Sequence, residues 1–183
     1  MELMKKYSDE PLVKYLTCEE KERFMSSTNV RTLLPGEKLI GQGEVDYRMF
    51  FIVSGSLDVI DERLGNEVVI ASLTSGDVLG EMAFLNEAPR SATVKAQVNT
   101  IVKELSRDKI REISEKDPLL FGKFMLALSE ILSERMRATL DTLPTLVARL
   151  HKLHEKDNKE NTSEFAEIED GLQSVNRWLR RSL

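Results

Sequence analysis

Between residues 28 and 106 the chain alternates short apolar runs with turn-forming residues. Thr32 to Leu34 precede Pro35-Gly36, Lys38 to Ile40 precede Gly41-Gln42-Gly43, and Met49 to Val53 precede Ser54-Gly55-Ser56. Leu57 to Ile60 lead into the polar stretch from Asp61 to Asn66, and Glu67 to Leu73 into Ser75-Gly76-Asp77. Ala92 to Val98 end at Asn99, and Thr100 to Leu105 follow. Runs this short, repeating every 8–12 residues or about that, predict an all-β sandwich or barrel rather than βαβ units. The flanks have helical texture. Residues 1–27 read as a short helical lead-in in which Thr17 and Glu20 have capping-box spacing, and Leu12, Val13, Leu16 and Phe24 supply apolar contacts. Ser106 is the expected N-cap of a helix over Arg107 to Lys116, and Asp117-Pro118 restarts the chain as a longer one. Phe121, Phe124, Met125, Leu128, Ile131, Leu132, Met136, Leu140 and Leu143 form its apolar stripe. Pro144 is expected to break or kink it. Residues 156–163 read as a polar linker, and Glu164 to Arg181 as a last helix with acids early and arginines late.

Composition narrows the function classes. The 183 residues are 41% hydrophobic and 31% charged, an ordinary globular balance. A net charge of −5 shows no basic footprint for nucleic acid. No apolar run reaches the roughly 18 residues of a membrane span. The first ten residues lack the apolar stretch of a signal peptide, and one cysteine, Cys18, allows no internal disulfide, so a cytoplasmic protein is expected. Residues 28–106 contain no histidine, which argues against metal chemistry on the strands. His151 and His154 are too few for a metal site and read as a solvated helix face.

The stretch from Gly76 to Val94 breaks the β pattern. Glu81 to Leu85 suit one short helical turn whose first amides face an anion, and Gly80 ahead of it permits close approach. Ala88-Pro89 gives an extended approach to Arg90, which is expected to start the next strand. Its planar guanidinium suits two phosphate oxygens, while the Glu81 carboxylate suits a hydroxyl. Taken singly, Arg90 and Glu81 read first as an ion pair within the fold.

Taken together, Gly80-Glu81-Met82-Ala83-Phe84-Leu85 followed by Pro89-Arg90-Ser91-Ala92-Thr93-Val94 resembles the phosphate-binding cassette of cyclic nucleotide-binding domains. The upstream Leu34-Pro35-Gly36 through Gly43, and Met49 through Gly55, fit the same family. The resemblance covers roughly residues 10–140. It implies a mainly β fold with flanking helices: an eight-stranded double-stranded β-helix, or jelly roll, followed by C-terminal α-helices. Residues 1–140 would form the domain, with lead-in 1–27, jelly roll 28–106, and hinge and long helix 107–140. Residues 141–183 would be a helical output region containing the 156–163 linker.

The resemblance also implies roles. Arg90 would neutralise the cyclic phosphate and Glu81 would accept the ribose 2′-hydroxyl, with Gly80 allowing their approach. Amides of Met82, Ala83, Ser91 and Ala92 would complete the cradle. Val69, Ala71, Leu79 and Val94 would line the base pocket, and Thr139 or Leu140 on the long helix would cap the base. Ser91 after the arginine favours cAMP over cGMP. No cofactor, metal or catalytic residue is expected. The function implied is a non-enzymatic cyclic nucleotide sensor that signals through movement of its C-terminal helices, a homodimer through the 118–153 helix with a protein partner downstream. Residues 144–183 show no helix-turn-helix, so no direct DNA binding is expected. The alternatives are a jelly-roll scaffold without a ligand, or a transcriptional regulator with a divergent C-terminus.

Overall fold

The computed structural model describes residues 13–63 and 65–156. The rest of the lead-in, most of the 156–163 linker and the helix expected over 164–181 lie outside the described residues. The chain divides into two compact units, Met1–Ser133 and Glu134–Leu183.

The first unit opens with α1 (Cys18–Ser26), and the expected capping box is formed: the Thr17 hydroxyl accepts from the Glu20 amide at 3.2 Å, and Glu20 accepts from the Thr17 amide at 2.8 Å. The strands are β1 (Asn29–Leu33), β2 (Lys38–Ile40), β3 (Met49–Ser54), β4 (Ser56–Asp61), β5 (Val68–Thr74), β6 (Val78–Leu79), β7 (Thr93–Ala96) and β8 (Thr100–Leu105). The short helix α2 (Glu81–Asn86) interrupts them, and α3 (Arg107–Lys116) and α4 (Pro118–Lys156) follow. The strands form two antiparallel four-stranded sheets, ordered β1-β8-β3-β6 and β2-β7-β4-β5. This is the expected eight-stranded sandwich with C-terminal helices. β6 is the strand the apolar pattern did not mark, because two residues carry no alternation of their own. Arg90 does not begin a strand: β7 starts three residues later, at Thr93.

Two apolar clusters lie on opposite faces of the first sheet. Between the sheets pack Leu33, Leu39, Ile40, Phe50, Ile52, Leu57, Leu79, Val94, Ala96 and Val102. On the other face, Met49, Phe51, Val78 and Leu105 meet Phe24, Phe84, Ile110, Ile113, Phe124 and Leu128 from the helices. A strand covered on both sides loses its polar alternation, which is why β3 begins Met-Phe-Phe-Ile, all buried. Phe24 sits edge-on to Phe51 at 6.0 Å and against Phe124 at 5.1 Å, and Phe124 meets Phe84 of α2 at 6.4 Å. Polar contacts reinforce this layer. Lys123 donates to both oxygens of the buried Glu20 at 2.7 Å, Arg23 pairs with Asp117 at 2.9 Å, and Lys14 and Tyr15 both meet Glu130.

Ser106 caps α3 as expected, and the Asp117 carboxylate accepts from the Leu120 amide at the start of α4. In the second unit the helix is not broken at Pro144 but runs on to Lys156. A proline removes one amide donor, and the hydrogen bonds of the adjacent turns carry the helix past it. None of the helices among the described residues is long and apolar enough to cross a membrane.

Phe24 is fully buried between two rings. Phe24→Ala should lower unfolding stability by about 3–5 kcal/mol, read from urea denaturation of the two proteins.

Candidate functional site

The centre of the predicted cassette is a buried charge. Arg90 is 3% exposed. Its Nη2 donates to the Arg48 carbonyl at 2.6 Å and pairs with Asp46 Oδ2 at 3.1 Å, its Nη1 donates to the Gly80 carbonyl at 3.3 Å, and the guanidinium lies 5.8 Å from the Phe50 ring centroid. Nε is buried with no hydrogen-bond partner. A guanidinium withdrawn from water requires this density of acceptors.

Asp46 and Arg48 carry no signal in the sequence pattern, yet they organise the site. Arg48 grips both Asp46 oxygens, with Nε at 3.0 and 3.1 Å and Nη2 at 2.9 Å, and reaches Glu104 on β8 with Nη1 at 2.9 Å. Glu104, Arg48, Asp46 and Arg90 thus form a chain of alternating charge. Burial pushes the Asp46 carboxyl up, but hydrogen bonds from the Arg48 side chain and amide and from Arg90 outweigh it and hold the group at about 2. The Asp46 contact raises Arg48 above the ordinary arginine value despite partial burial.

Gly80 precedes α2 with φ 81°, in the left-handed region. A Cβ there would lie 2.6 Å from Arg90 Nη1 and 2.8 Å from the Arg48 carbonyl. Glycine therefore satisfies two demands at once: the backbone turn and the approach of the guanidinium. Glu81, the first residue of α2, is buried, as are Ala83 and Ala92, while Met82 and Ser91 are exposed. The helix ends at Glu87, the one non-glycine residue with positive φ among those described. Glu87 is ion-paired to Arg107, the first residue of α3, whose guanidinium lies 6.0 Å from the Tyr47 ring centroid.

The structure brings Gly80, Glu81 and Arg90 together and treats the expected base-lining residues differently. β4 and β5 shift register between Val59 and Ile60, so Ile60 faces Val69 and Val59 faces Ala71, with Ile70 as the extra residue. Neighbours in β4 point to opposite faces, and cross-strand partners share a face. Val69 and Ala71 therefore lie on opposite faces and do not line one wall together, as simple alternation would have it. Ala71 shares the face of Val59, which packs against the inter-sheet cluster. Leu79 and Val94 are core residues of that cluster. Thr139 belongs to the second unit, exposed on α4, and its hydroxyl donates to the Arg135 carbonyl at 2.9 Å. Ile70, at the bulge, is 57% exposed.

Comparison with known proteins bears on the family and the fold. Residues 30–117 match the family model described as a cyclic nucleotide-binding domain. The chain is 34% identical over 131 residues to a cAMP-dependent protein kinase regulatory subunit of Mycosarcoma maydis, covering 72% of this chain and 24% of that protein. It is 31% identical over 120 residues to the cAMP-activated global transcriptional regulator CRP of Salmonella typhimurium, covering 64% of this chain and 55% of that protein. The crystal structure of Thermus thermophilus catabolite activator protein superposes with a TM-score of 0.67, at 27% identity over 75% of this chain and 63% of that one. The chain thus spans between about a quarter and about half of the length of these curated relatives.

Asp46 has a folded value of about 2 against an ordinary 3.8. A lowered carboxyl contributes stability that is complete above its unfolded value and is lost as pH falls through the folded one. Asp46→Asn should therefore flatten the fall in stability between pH 4 and about 2 relative to wild type. Urea denaturation across that window measures it, and parallel profiles would remove Asp46 from the acid response.

Proposed function

Residues 30–117 belong to the cyclic nucleotide-binding domain family, and from that premise we propose that this chain is a non-enzymatic sensor whose ligand is a cyclic nucleotide, cAMP ahead of cGMP. Arg90 takes the cyclic phosphate, Glu81 the ribose 2′-hydroxyl, and the amides of Met82, Ala83, Ser91 and Ala92 the remaining phosphate oxygens. The observation that carries the reading is Arg90: a buried guanidinium with an unpartnered Nε, placed against Gly80 at the start of the helix that Glu81 opens. A ligand with one negative charge and a neighbouring hydroxyl matches that pair. The register supports Ala71, on the face of Val59, as the β5 contribution to the base site.

The signal would leave through α2. Phe84 on its buried face meets Phe124 of α4, so a shift of α2 on ligand binding bears directly on that helix. A ligand biases such a movement only through its different affinity for the two positions. The opposite side of the same helix presents Leu119 and Leu126 to solvent while Leu120, Phe124, Ala127 and Leu128 are buried. These exposed leucines support a homodimer through the 118–153 helix. The protein is expected to act in the cytoplasm on a protein partner, with no direct DNA contact from the residues present.

Calorimetric titration of cAMP and cGMP into wild type and Arg90→Ala tests the reading. Hydrogen bonds to charged groups are each worth about 1.5–3 kcal/mol, so losing two of them should weaken binding by roughly a hundredfold or more. A folded wild type that binds neither nucleotide would leave the domain as a scaffold. In the assembly test, Leu126→Glu should convert a dimer to a monomer in sedimentation equilibrium, and an unchanged mass would place the contact elsewhere.

A further inference from the structure

The two peptide groups after Arg90 are held from behind by one short loop segment. The Arg90 carbonyl accepts from the Gly43 amide at 2.8 Å, and the Arg90 amide donates to the Glu44 carbonyl at 2.9 Å. The next carbonyl, that of Ser91, accepts from the Gln42 side-chain Nε2 at 3.1 Å. A trans peptide is planar, with its N–H opposed to its C=O. Pinning the Arg90 carbonyl therefore aims the Ser91 amide away from residues 42–44, and pinning the Ser91 carbonyl aims the Ala92 amide the same way. The first pin is made by backbone, and any residue at position 43 with that conformation can supply it. The second is made by one side chain.

The remaining contacts of Gln42 fix the side chain itself. Nε2 also donates to Asp61 Oδ1 at 3.3 Å, Oε1 accepts from the Glu62 amide at 2.8 Å, and the Gln42 amide donates to the Thr93 hydroxyl at 3.0 Å. Two acceptors lie on one side of the carboxamide and one donor on the other, so only one orientation of the group satisfies all three. Asp61 is itself engaged by Arg63 at 2.9 Å, which holds it well below the ordinary carboxylate range and keeps it an acceptor.

We propose that Gln42 is a positioning residue for anion binding: its carboxamide sets the plane of the Ser91–Ala92 peptide so that the Ala92 amide, beside that of Ser91, points at the phosphate. It also ties that peptide to the turn after β4. The inference rests on the cyclic nucleotide reading of the site. It goes beyond that reading in naming a residue outside the cassette that aims one of its donors.

The test titrates cAMP into the full chain as wild type, Gln42→Ala and Gln42→Glu, at pH 7.5 and pH 5.5, with thermal melting alongside. Misaiming the Ala92 amide forfeits one hydrogen bond of about 1 kcal/mol to the phosphate, which predicts roughly fivefold weaker binding for both variants at pH 7.5, and the melting curves show that both remain folded at the titration temperature. The carboxylate of Gln42→Glu can still accept from Glu62 but cannot donate to Ser91. Facing the ionised Asp61 and the Ser91 carbonyl, it takes up a proton readily, so its deficit should narrow at pH 5.5 while that of Gln42→Ala stays. A merely structural role would not produce that recovery. Variants that bind like wild type, or a Gln42→Glu deficit that does not respond to pH while the protein stays folded, would overturn the assignment. A wild type that binds no cAMP would instead overturn the underlying function and this assignment with it.

Discussion

A guanidinium almost removed from water is the constraint around which this domain is arranged. The Arg90 side chain is 2% exposed, and a charge in that position is tolerated only when acceptors surround it. The Gly80 and Arg48 carbonyls, the Asp46 carboxylate and the face of Phe50 provide them. They come from two stretches of chain, residues 46–50 and Gly80, so the requirement reaches outward. It demands glycine at position 80, sets the path of the loop before β3, and recruits Arg48 to keep Asp46 ionised between two cations.

The same arrangement places the cassette on a load path. α2 is too short to be stable by itself. Its inner face, Ala83 and Phe84, is buried, and Phe84 joins the aromatic series that continues through Phe124 and Phe24 to Phe51 on the first sheet. Its far end is fastened by Glu87 to Arg107, where β8 hands over to α3. A positive φ at a glutamate is accompanied here by that ion pair and by the hydrogen bond that the Glu87 amide donates to the Ala83 carbonyl. The inner face and the far end of α2 therefore contact elements that lead into α4.

Much of this was legible in the amino-acid sequence because it rests on local chemistry. Alternation and turn residues marked every strand except the two-residue β6. The Thr17–Glu20 capping box and the Ser106 cap were readable because caps are formed by residues three apart. The cassette residues Gly80, Glu81 and Arg90 were readable because their chemistry and spacing are compressed into one segment. Of the break or kink expected at Pro144, the break does not occur, because the turns on either side keep the helix continuous past one lost hydrogen bond.

Contacts between residues distant in the chain leave no such local mark. Nothing local marks Asp46 and Arg48 as partners of Arg90, or Glu104 as the partner of Arg48, since the charges are brought together by the pairing of β3 with β8 and by the loop that precedes it. Nor does any pattern assign Gln42 to the Ser91 carbonyl, a contact across 49 positions. The bulge at Ile70 separates Val69 from Ala71 because register belongs to the pair of strands and not to either one. The sequence by itself determined the elements and the reactive groups; pairing across the sheets decided which of those groups share a site and which way each one faces.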